Sequence, residues 1–551
     1  MRIPFLVKYR ERIFLLVAIA ATIALYAHNL ELRSWTNDEL GTILTSRMQS
    51  DSLLSLVRAI DLHPPTHYLM VHYWAKTFGD SLISMRLLDV IPIVLLVPLS
   101  YFYTKHLFSK QAAVFVVLLI LVSPNLLYYS RMVRYYSWSV LFSSLSIASF
   151  LWFLDSKHRR SQVAFIAATA ILGYLQYLTI AIVVICENLF FALSYKAKRL
   201  SQEHTYQWLR MQAAIVVLLL PMILVYTLPQ VAHIFSAREL NNSPHTSVNW
   251  LGMLTAMLYA FYAFSFSQNF FPWEFVYIIP GGVLFLLLLG IMYKFLKGNS
   301  YQLRFTFVFV LLPVVLVAFA MFVTGISTAI SHAAAYSIFV LPLLLMVIAG
   351  SFSALHSKPL AYVLFFVLII FNIFSVKNYL EYHTALCWDP NWKEVAEYVR
   401  TNSHPSDVIV ANNPEHSIIR TSYVSHYLQR QTIDVLQNAP TPDSNREVSS
   451  GYREFENVVM NQHPERVWVI VRNRVPGEAI LVENSLIRMG YEKVQAKGFW
   501  RNDGETRKFK NVLGSMSFLN FRAGDVGEYM ISVNLFESRS GIRVSKGEQT
   551  Q

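Results

Sequence analysis

Apolar positions along this chain come in long unbroken runs separated by short polar connectors, without the alternation of a half-buried strand. A helix needs about 20 apolar residues to cross a hydrocarbon core. Eleven runs approach or reach that length, near 13–30, 86–104, 111–127, 137–154, 162–178, 179–195, 211–228, 275–293, 305–323, 336–352 and 360–378. The pattern predicts a polytopic α-helical membrane protein of about 11 transmembrane helices with a C-terminal soluble α/β domain.

The short connectors orient the spans. Lys105 and Lys110 flank one; Lys157, Arg159 and Arg160 sit in another; Lys196, Lys198, Arg199 and Arg210 mark a third. Lys294, Lys297 and Arg304 mark a fourth, and Lys358 a fifth. With alternating spans, all fall on the side of the basic N-terminus (Arg2, Lys8, Arg10, Arg12), which the positive-inside rule makes cytoplasmic. An odd number of spans then leaves the tail outside. The expected location is the cytoplasmic (inner) membrane, multi-pass, with an external or periplasmic C-terminal domain. The first apolar run lacks a cleavage pattern and reads as a retained span.

This division gives a transmembrane domain over 1–380 and an external domain over 381–551. Two large external loops are expected, 31–85 and 229–272. Within the second, the apolar stretch Trp250 to Phe271 has both flanks outside, so it reads as a re-entrant or interfacial helix pair. In the tail, an amphipathic helix over Trp392 to Thr401 precedes a strand at Asp407 to Ala411. A helical stretch around His416 to Leu428, a strand at Val467 to Val471, a helix at Glu478 to Met489 and a strand at Glu528 to Leu535 follow. That alternation predicts a mostly parallel sheet flanked by helices.

Composition changes this picture little. Only 15% of residues are charged, against about a quarter in soluble domains, which is the depletion lipid demands. The net charge of +12 lies largely in the connectors, so it reads as topology and not as a nucleic-acid footprint. Cys186 lies inside an apolar run and Cys387 beyond the last one, so no disulfide framework is expected.

Candidate chemistry concentrates in the first external loop. Asp38 and Glu39 stand just past the first span, where a carboxylate near apolar walls can act as a general base; acidic residues there are equally at home simply in water. Farther on the loop reads Asp61-Leu62-His63-Pro64-Pro65-Thr66-His67-Tyr68. The two prolines hold His63 in a fixed direction, ready to meet an anion; they also account for a turn that starts a helix over Thr66 to Phe78. A third signal, Tyr128-Tyr129-Ser130-Arg131-Met132-Val133-Arg134-Tyr135-Tyr136-Ser137, falls where the third span gives way to the fourth. Arg131 and Arg134, three apart on a helical turn, would face one side and with the tyrosines hold a phosphate or sugar. An interfacial aromatic belt with snorkelling arginines is the competing reading. Glu187, inside the sixth span, is either a relay or substrate contact or half of a hydrogen-bonded pair; His332 is a weaker candidate.

Taken in order, the acidic pair, the His-Pro-Pro-aromatic turn, the span opening with Arg86-Leu87-Leu88 and the Tyr-Tyr-Ser…Arg134-x-Tyr136 junction resemble the GT-C membrane glycosyltransferases. Within these they are similar to the bacterial protein-mannosyltransferase-like and lipid A aminoarabinose transferase-like group. The likeness is strongest over 31–140 and extends more loosely through Trp392-Lys393-Glu394-Val395 and Asp407-Val408-Ile409. The resemblance implies inverting transfer of a sugar from a polyprenyl-phosphate donor to an acceptor hydroxyl on a lipid, polysaccharide or protein. It makes Asp38 the base and gives Glu39 a substrate-binding or orienting role. His63, Arg131 and Arg134 become the cations for the lipid phosphate, with Tyr129, Tyr136 and His67 lining that site. The sequence departs from the family pattern in three places: Arg131-Met132 stand where Gln-Glu is common, Gln176-Tyr177 where His-Tyr is, and Ala335-Tyr336 where Arg-Tyr is. A divalent metal is left open. Two other classes stay open beside the enzyme: a transporter or flippase for a lipid-linked sugar, and a non-catalytic subunit of an envelope glycan assembly system. The internal duplication usual in transporters is not present.

Overall fold

The computed structural model describes residues 4–32, 35–61, 63–156, 158–232, 250–266, 275–324, 330–382, 392–413, 428, 430, 432–436, 450–472, 478–499 and 531–538. They fall into two compact units, Met1–Leu32 with Thr45–Leu386, and Arg33–Leu44 with Cys387–Gln551.

Among its described residues the first unit is built of helices and their connecting turns, and each of the eleven apolar runs overlaps a helix. Among the described residues, seven helices are long and apolar enough to cross a membrane, including Leu82–Leu107, Tyr136–Ser156 and Tyr177–Lys196. Lys110–Leu121 and Ile338–Ser353 are apolar but shorter. Their starts follow local chemistry. Ser81, Ser109 and Ser123 each accept a hydrogen bond from a backbone N–H of the first turn, and Pro124 follows Ser123 at a position that needs no donor. A π-helical turn at Phe307–Leu311 stands just before Pro313, whose ring cannot accommodate a regular preceding turn.

Large apolar side chains remain on the outer surface of these helices, among them Val217, Leu286 and Phe366 at 67%, 68% and 63% exposure. Water would penalise such a surface, and lipid tails would not. Inside, a continuous core joins Tyr26, Leu96, Ile120, Phe150, Phe190 and Phe309. Of the helix pair expected over Trp250 to Phe271, the described part, Trp250–Phe266, is one continuous helix of 17 residues, and 267–271 lie outside the described residues. Ala256, Ala260, Ala263 and Phe264 give it a buried face, so helix packing holds it as a single piece.

The second unit is built on a five-stranded sheet. In chain order the strands are β1 (Val408–Asn413), β2 (Ile433–Leu436), β3 (Arg466–Arg472), β4 (Tyr491–Phe499) and β5 (Ile531–Ser538). Their order across the sheet is β2-β1-β3-β5-β4. The parallel part is β2-β1-β3, with Val410 opposite Ile433 and Val408 opposite Val467. β5 runs antiparallel to both β3 and β4. The sheet is therefore mixed and not mostly parallel: the chain returns through β4 and β5 on one edge after the parallel crossovers are complete. The helices Trp392–Asn402, Ser450–Gln462 and Glu478–Arg488 accompany it. At Gly451 a Cβ would collide with the backbone carbonyl of Asp434, so this helix start approaches β2 as closely as it does only because the residue is glycine. The helix expected around His416 to Leu428 lies, but for Leu428, outside the described residues.

Candidate functional site

In the first unit the His-Pro-Pro turn links two helices. Ser50–Ile60 ends at Asp61, and Thr66–Phe78 begins after Pro65. The prolines thus stand where a helix starts, and the histidine before them is held by Asp61. Asp61 Oδ1 accepts the His63 backbone N–H at 3.1 Å and lies 2.8 Å from His63 Nδ1. Its other oxygen accepts the Tyr68 hydroxyl. Burial alone would raise a carboxyl group here. The His63 hydrogen bond and charge, the Tyr68 hydroxyl and the Arg134 charge outweigh it and hold Asp61 below the usual carboxylate range. An ionised carboxylate only accepts, so His63 Nδ1 carries a proton.

The other face of the imidazole meets the Tyr128–Ser137 junction. His63 Nε2 lies 3.1 Å from the Tyr135 hydroxyl, with ring centroids 4.9 Å apart. Arg134 donates to the Tyr68 hydroxyl at 3.4 Å and lies over the Tyr135 ring at 5.8 Å. His63 and Arg134 therefore belong to one cluster with Asp61, Tyr68 and Tyr135, in which Asp61 takes His63 and Tyr68, and Tyr135 lies against His63 and Arg134.

Arg131 does not join it. The two arginines were expected on one helical turn. The chain between Pro124–Tyr129 and Tyr136–Ser156 is instead non-helical, and the Arg134 N–H bonds back to the Met132 carbonyl at 2.7 Å in a three-residue turn. The side chains consequently part. Arg131 is 5% exposed and donates to the carbonyls of Tyr26 at 3.2 Å, Leu25 at 3.1 Å and His28. These are the last carbonyls of the Pro4–Tyr26 helix and its exit, groups that no helical N–H can reach. Its guanidinium also lies 5.6 Å from the Tyr379 ring centroid. Arg131 is a helix cap, and it neither snorkels to a surface nor shares a face with Arg134.

Tyr129 and Tyr136 are buried, with ring centroids 5.1 Å apart. Tyr136 also packs on Tyr135 at 4.8 Å, so the tyrosines back the His63 cluster as a wall. His67 turns into the bundle, where Nε2 lies 3.1 Å from Asp89 Oδ1, both side chains being almost wholly buried. Glu187 accepts the Ser146 hydroxyl at 2.7 Å, and Ser146 in turn lies 2.7 Å from Thr169, which is the hydrogen-bonded alternative for that residue.

Asp38 and Glu39 belong to the second unit and are described there. Both lie in the first turn of the helix Asn37–Ser46. Glu39, wholly buried, accepts the Thr36 backbone N–H at 2.9 Å, while the Thr36 hydroxyl accepts the Glu39 N–H at 3.0 Å. This reciprocal pair is a capping box. Asp38 lies between the two partners and is exposed. The metal left open by the resemblance finds no group of three or more His, Cys, Asp or Glu among the described residues that could hold one.

Residues 62–225 match the family model for dolichyl-phosphate-mannose-protein mannosyltransferase. No curated protein matches the chain. Among solved structures, ArnT from Cupriavidus metallidurans in the apo state is similar with a TM-score of 0.56 at 11% identity, covering 88% of this chain and 96% of that one. The same protein bound to undecaprenyl phosphate gives 0.51 at 12% identity, covering 94% and 97%. Archaeal oligosaccharyltransferase AglB from Archaeoglobus fulgidus, in complex with an inhibitory peptide and a dolichol-phosphate, gives 0.50 at 13% identity, covering 90% and 73%. At such identities the structural likeness is one of fold. The resemblance read from residues 31–140 agrees with that fold, and from residue 62 onward with the matched segment.

Proposed function

We propose that the chain is a GT-C glycosyltransferase that moves a hexose or pentose from a polyprenyl-phosphate carrier to an acceptor hydroxyl, with inversion, on the external face of the cytoplasmic membrane, a reading supported by its fold and by the family segment over residues 62–225. In this reading eleven spans place the N-terminus in the cytoplasm and residues 381–551 outside. Undecaprenyl phosphate on ArnT and dolichol-phosphate on AglB are both polyprenyl phosphates, which supports a donor of that kind.

The observation that carries the reading is that Arg134 and a clamped His63 both lie against Tyr135 inside the family segment. In the transfer, the acceptor oxygen bonds to the anomeric carbon, its proton goes to a base, and the bond from that carbon to phosphate breaks. The electron pair leaves on the phosphate oxygen, whose charge grows as the bond stretches. Fixed cationic donors aimed at such charge lower the barrier, and no acid is required. Arg134 and His63 supply those donors. Asp38 is the base, assigned from the resemblance and supported by its exposure in a first helical turn that Thr36 and Glu39 hold rigid. Glu39 orients Asp38 through that cap.

The test is transfer by the purified full-length protein in lipid nanodiscs, with a panel of undecaprenyl-phosphate-linked sugars and chromatographic detection of released undecaprenyl phosphate. Asp38→Asn should lower turnover by about 10²-fold or more. Turnover preserved in that variant would remove Asp38 as base. Movement of intact lipid-linked sugar across the bilayer without release of the phosphate would replace transfer by flipping.

A further inference from the structure

We propose that Asp61 is a positioning residue for phosphate recognition: its carboxylate fixes the backbone and the ring of His63 together, so that Nε2 is the ring nitrogen that meets a phosphate oxygen, which takes the place of the Tyr135 hydroxyl there. The inference rests on the reading of the donor as a polyprenyl phosphate and goes beyond it, because Asp61 carries no role in that reading.

Three donors converge on the Asp61 carboxylate: the His63 backbone N–H at 3.1 Å, His63 Nδ1 at 2.8 Å and the Tyr68 hydroxyl. The turn is fastened a second time from 167 residues away. Gln230, 3% exposed, donates to the His63 carbonyl at 3.3 Å and to the Val57 carbonyl at 3.0 Å. Pro64 and Pro65 remove two more degrees of freedom. With the backbone held, only the two side-chain torsions of His63 remain, and Asp61 at Nδ1 and Tyr135 at Nε2 set both.

The chemistry follows from the inventory of donors. With Nδ1–H committed to a carboxylate, Nε2 accepts from Tyr135 when the ring is neutral and donates when it is protonated. A phosphate oxygen takes donors only, so the protonated ring is the form it selects, and Asp61 balances the positive charge from behind. Arg134, over Tyr135 and within reach of Tyr68, adds a second cationic donor to the same group of rings. A helix-ending turn alone would need only the backbone N–H bond. The bond to Nδ1 has no part in ending the helix.

A double-mutant cycle on the full chain in nanodiscs, with undecaprenyl phosphate as the probe and undecaprenol as its neutral counterpart, tests this. His63→Gln should weaken undecaprenyl phosphate binding about tenfold, the loss of one charge-assisted bond. Asp61→Asn, which keeps the shape and removes the charge, should weaken it by a similar factor, about tenfold, because the protonated ring loses its counter-charge. The pair together should be no weaker than His63→Gln alone, because Asp61 acts through His63. A purely structural Asp61 would instead give additive losses, and either additivity or wild-type affinity in Asp61→Asn overturns the inference. If Asp61→Asn does not fold, Asp61→Ser keeps an acceptor for the backbone N–H and carries the same comparison. A wild-type protein that binds the phosphate no better than undecaprenol overturns the donor reading, and the inference with it.

Discussion

Arg131 and Arg134 stand three positions apart in one motif, yet the structure gives them separable jobs, and the separation can be measured. Replacing Arg131 with Met keeps most of the volume and removes the donors to the carbonyls of Leu25, Tyr26 and His28. A hydrogen bond from a charged group contributes about 1.5–3 kcal/mol. The three bonds share one guanidinium and do not add, but their loss takes the charged donor from the Tyr26 carbonyl, which is buried, and from that of His28 at a helix end, while Leu25 keeps the His28 N–H. Together with the contact to Tyr379, the expected destabilisation is roughly 3–5 kcal/mol. Arg134→Met removes a half-buried side chain whose bond to Tyr68 is long, so its effect on stability should stay within about 1 kcal/mol. Binding should follow the opposite order. Undecaprenyl phosphate affinity should fall about tenfold or more in Arg134→Met, and stay near wild type in the folded fraction of Arg131→Met. Chemical unfolding in detergent, followed by tryptophan fluorescence, gives the first quantity; titration in nanodiscs gives the second. An Arg131→Met protein as stable as wild type but unable to bind the phosphate would refute the cap assignment and return Arg131 to the donor site.

Three further outcomes are expected. Glu39→Gln should retain most transfer activity, since glutamine also serves a capping box, whereas Glu39→Ala should cost about 1 kcal/mol of stability and lower turnover through Asp38; equal and complete loss in both would mark Glu39 as reacting with substrate. Asp89→Leu should strand His67 in the bundle and destabilise by about 3–5 kcal/mol, while Asp89→Leu with His67→Leu recovers much of that in the same unfolding assay. The stability of the wild type should fall more steeply in acid than that of Asp61→Asn. The Asp61 pKa is lowered in the folded state, so its contribution is fully present above the unfolded value near 4 and is lost as pH falls from there toward the folded value. Parallel stability curves for the two proteins below about pH 4 would remove the ion-paired cluster.

What the sequence made legible divides along a physical line. Membrane helices announce themselves because lipid forces each into a long apolar run, and all eleven runs overlap a helix. The tail was harder to read. β4 carries polar residues on both faces and is exposed along almost its whole length, so no burial pattern marks it, and the antiparallel edge it makes with β5 follows from pairing across distant sequence. The same line runs through the site. The capping role of Glu39 is local and is written in the spacing Thr36-x-x-Glu39. The fixing of His63 by Asp61 is also local, two residues apart, and the prolines after it point there. The role of Arg131 is not local. It depends on carbonyls more than a hundred positions away, and arginine spacing on an assumed helix gave the wrong face because the chain there is not a helix. Gln230 is further removed still, 167 residues from the turn it holds, and nothing in its neighbourhood marks it. The chemistry that could be read was that carried by neighbours; the residues that hold it in place come from elsewhere in the bundle. For this reason the substitution at Met132 and the alanine at Ala335 are poor guides to whether the site is intact. The informative residues are those whose partners are fixed by the fold, and Asp61 with His63 is the pair in which local sequence and distant packing meet.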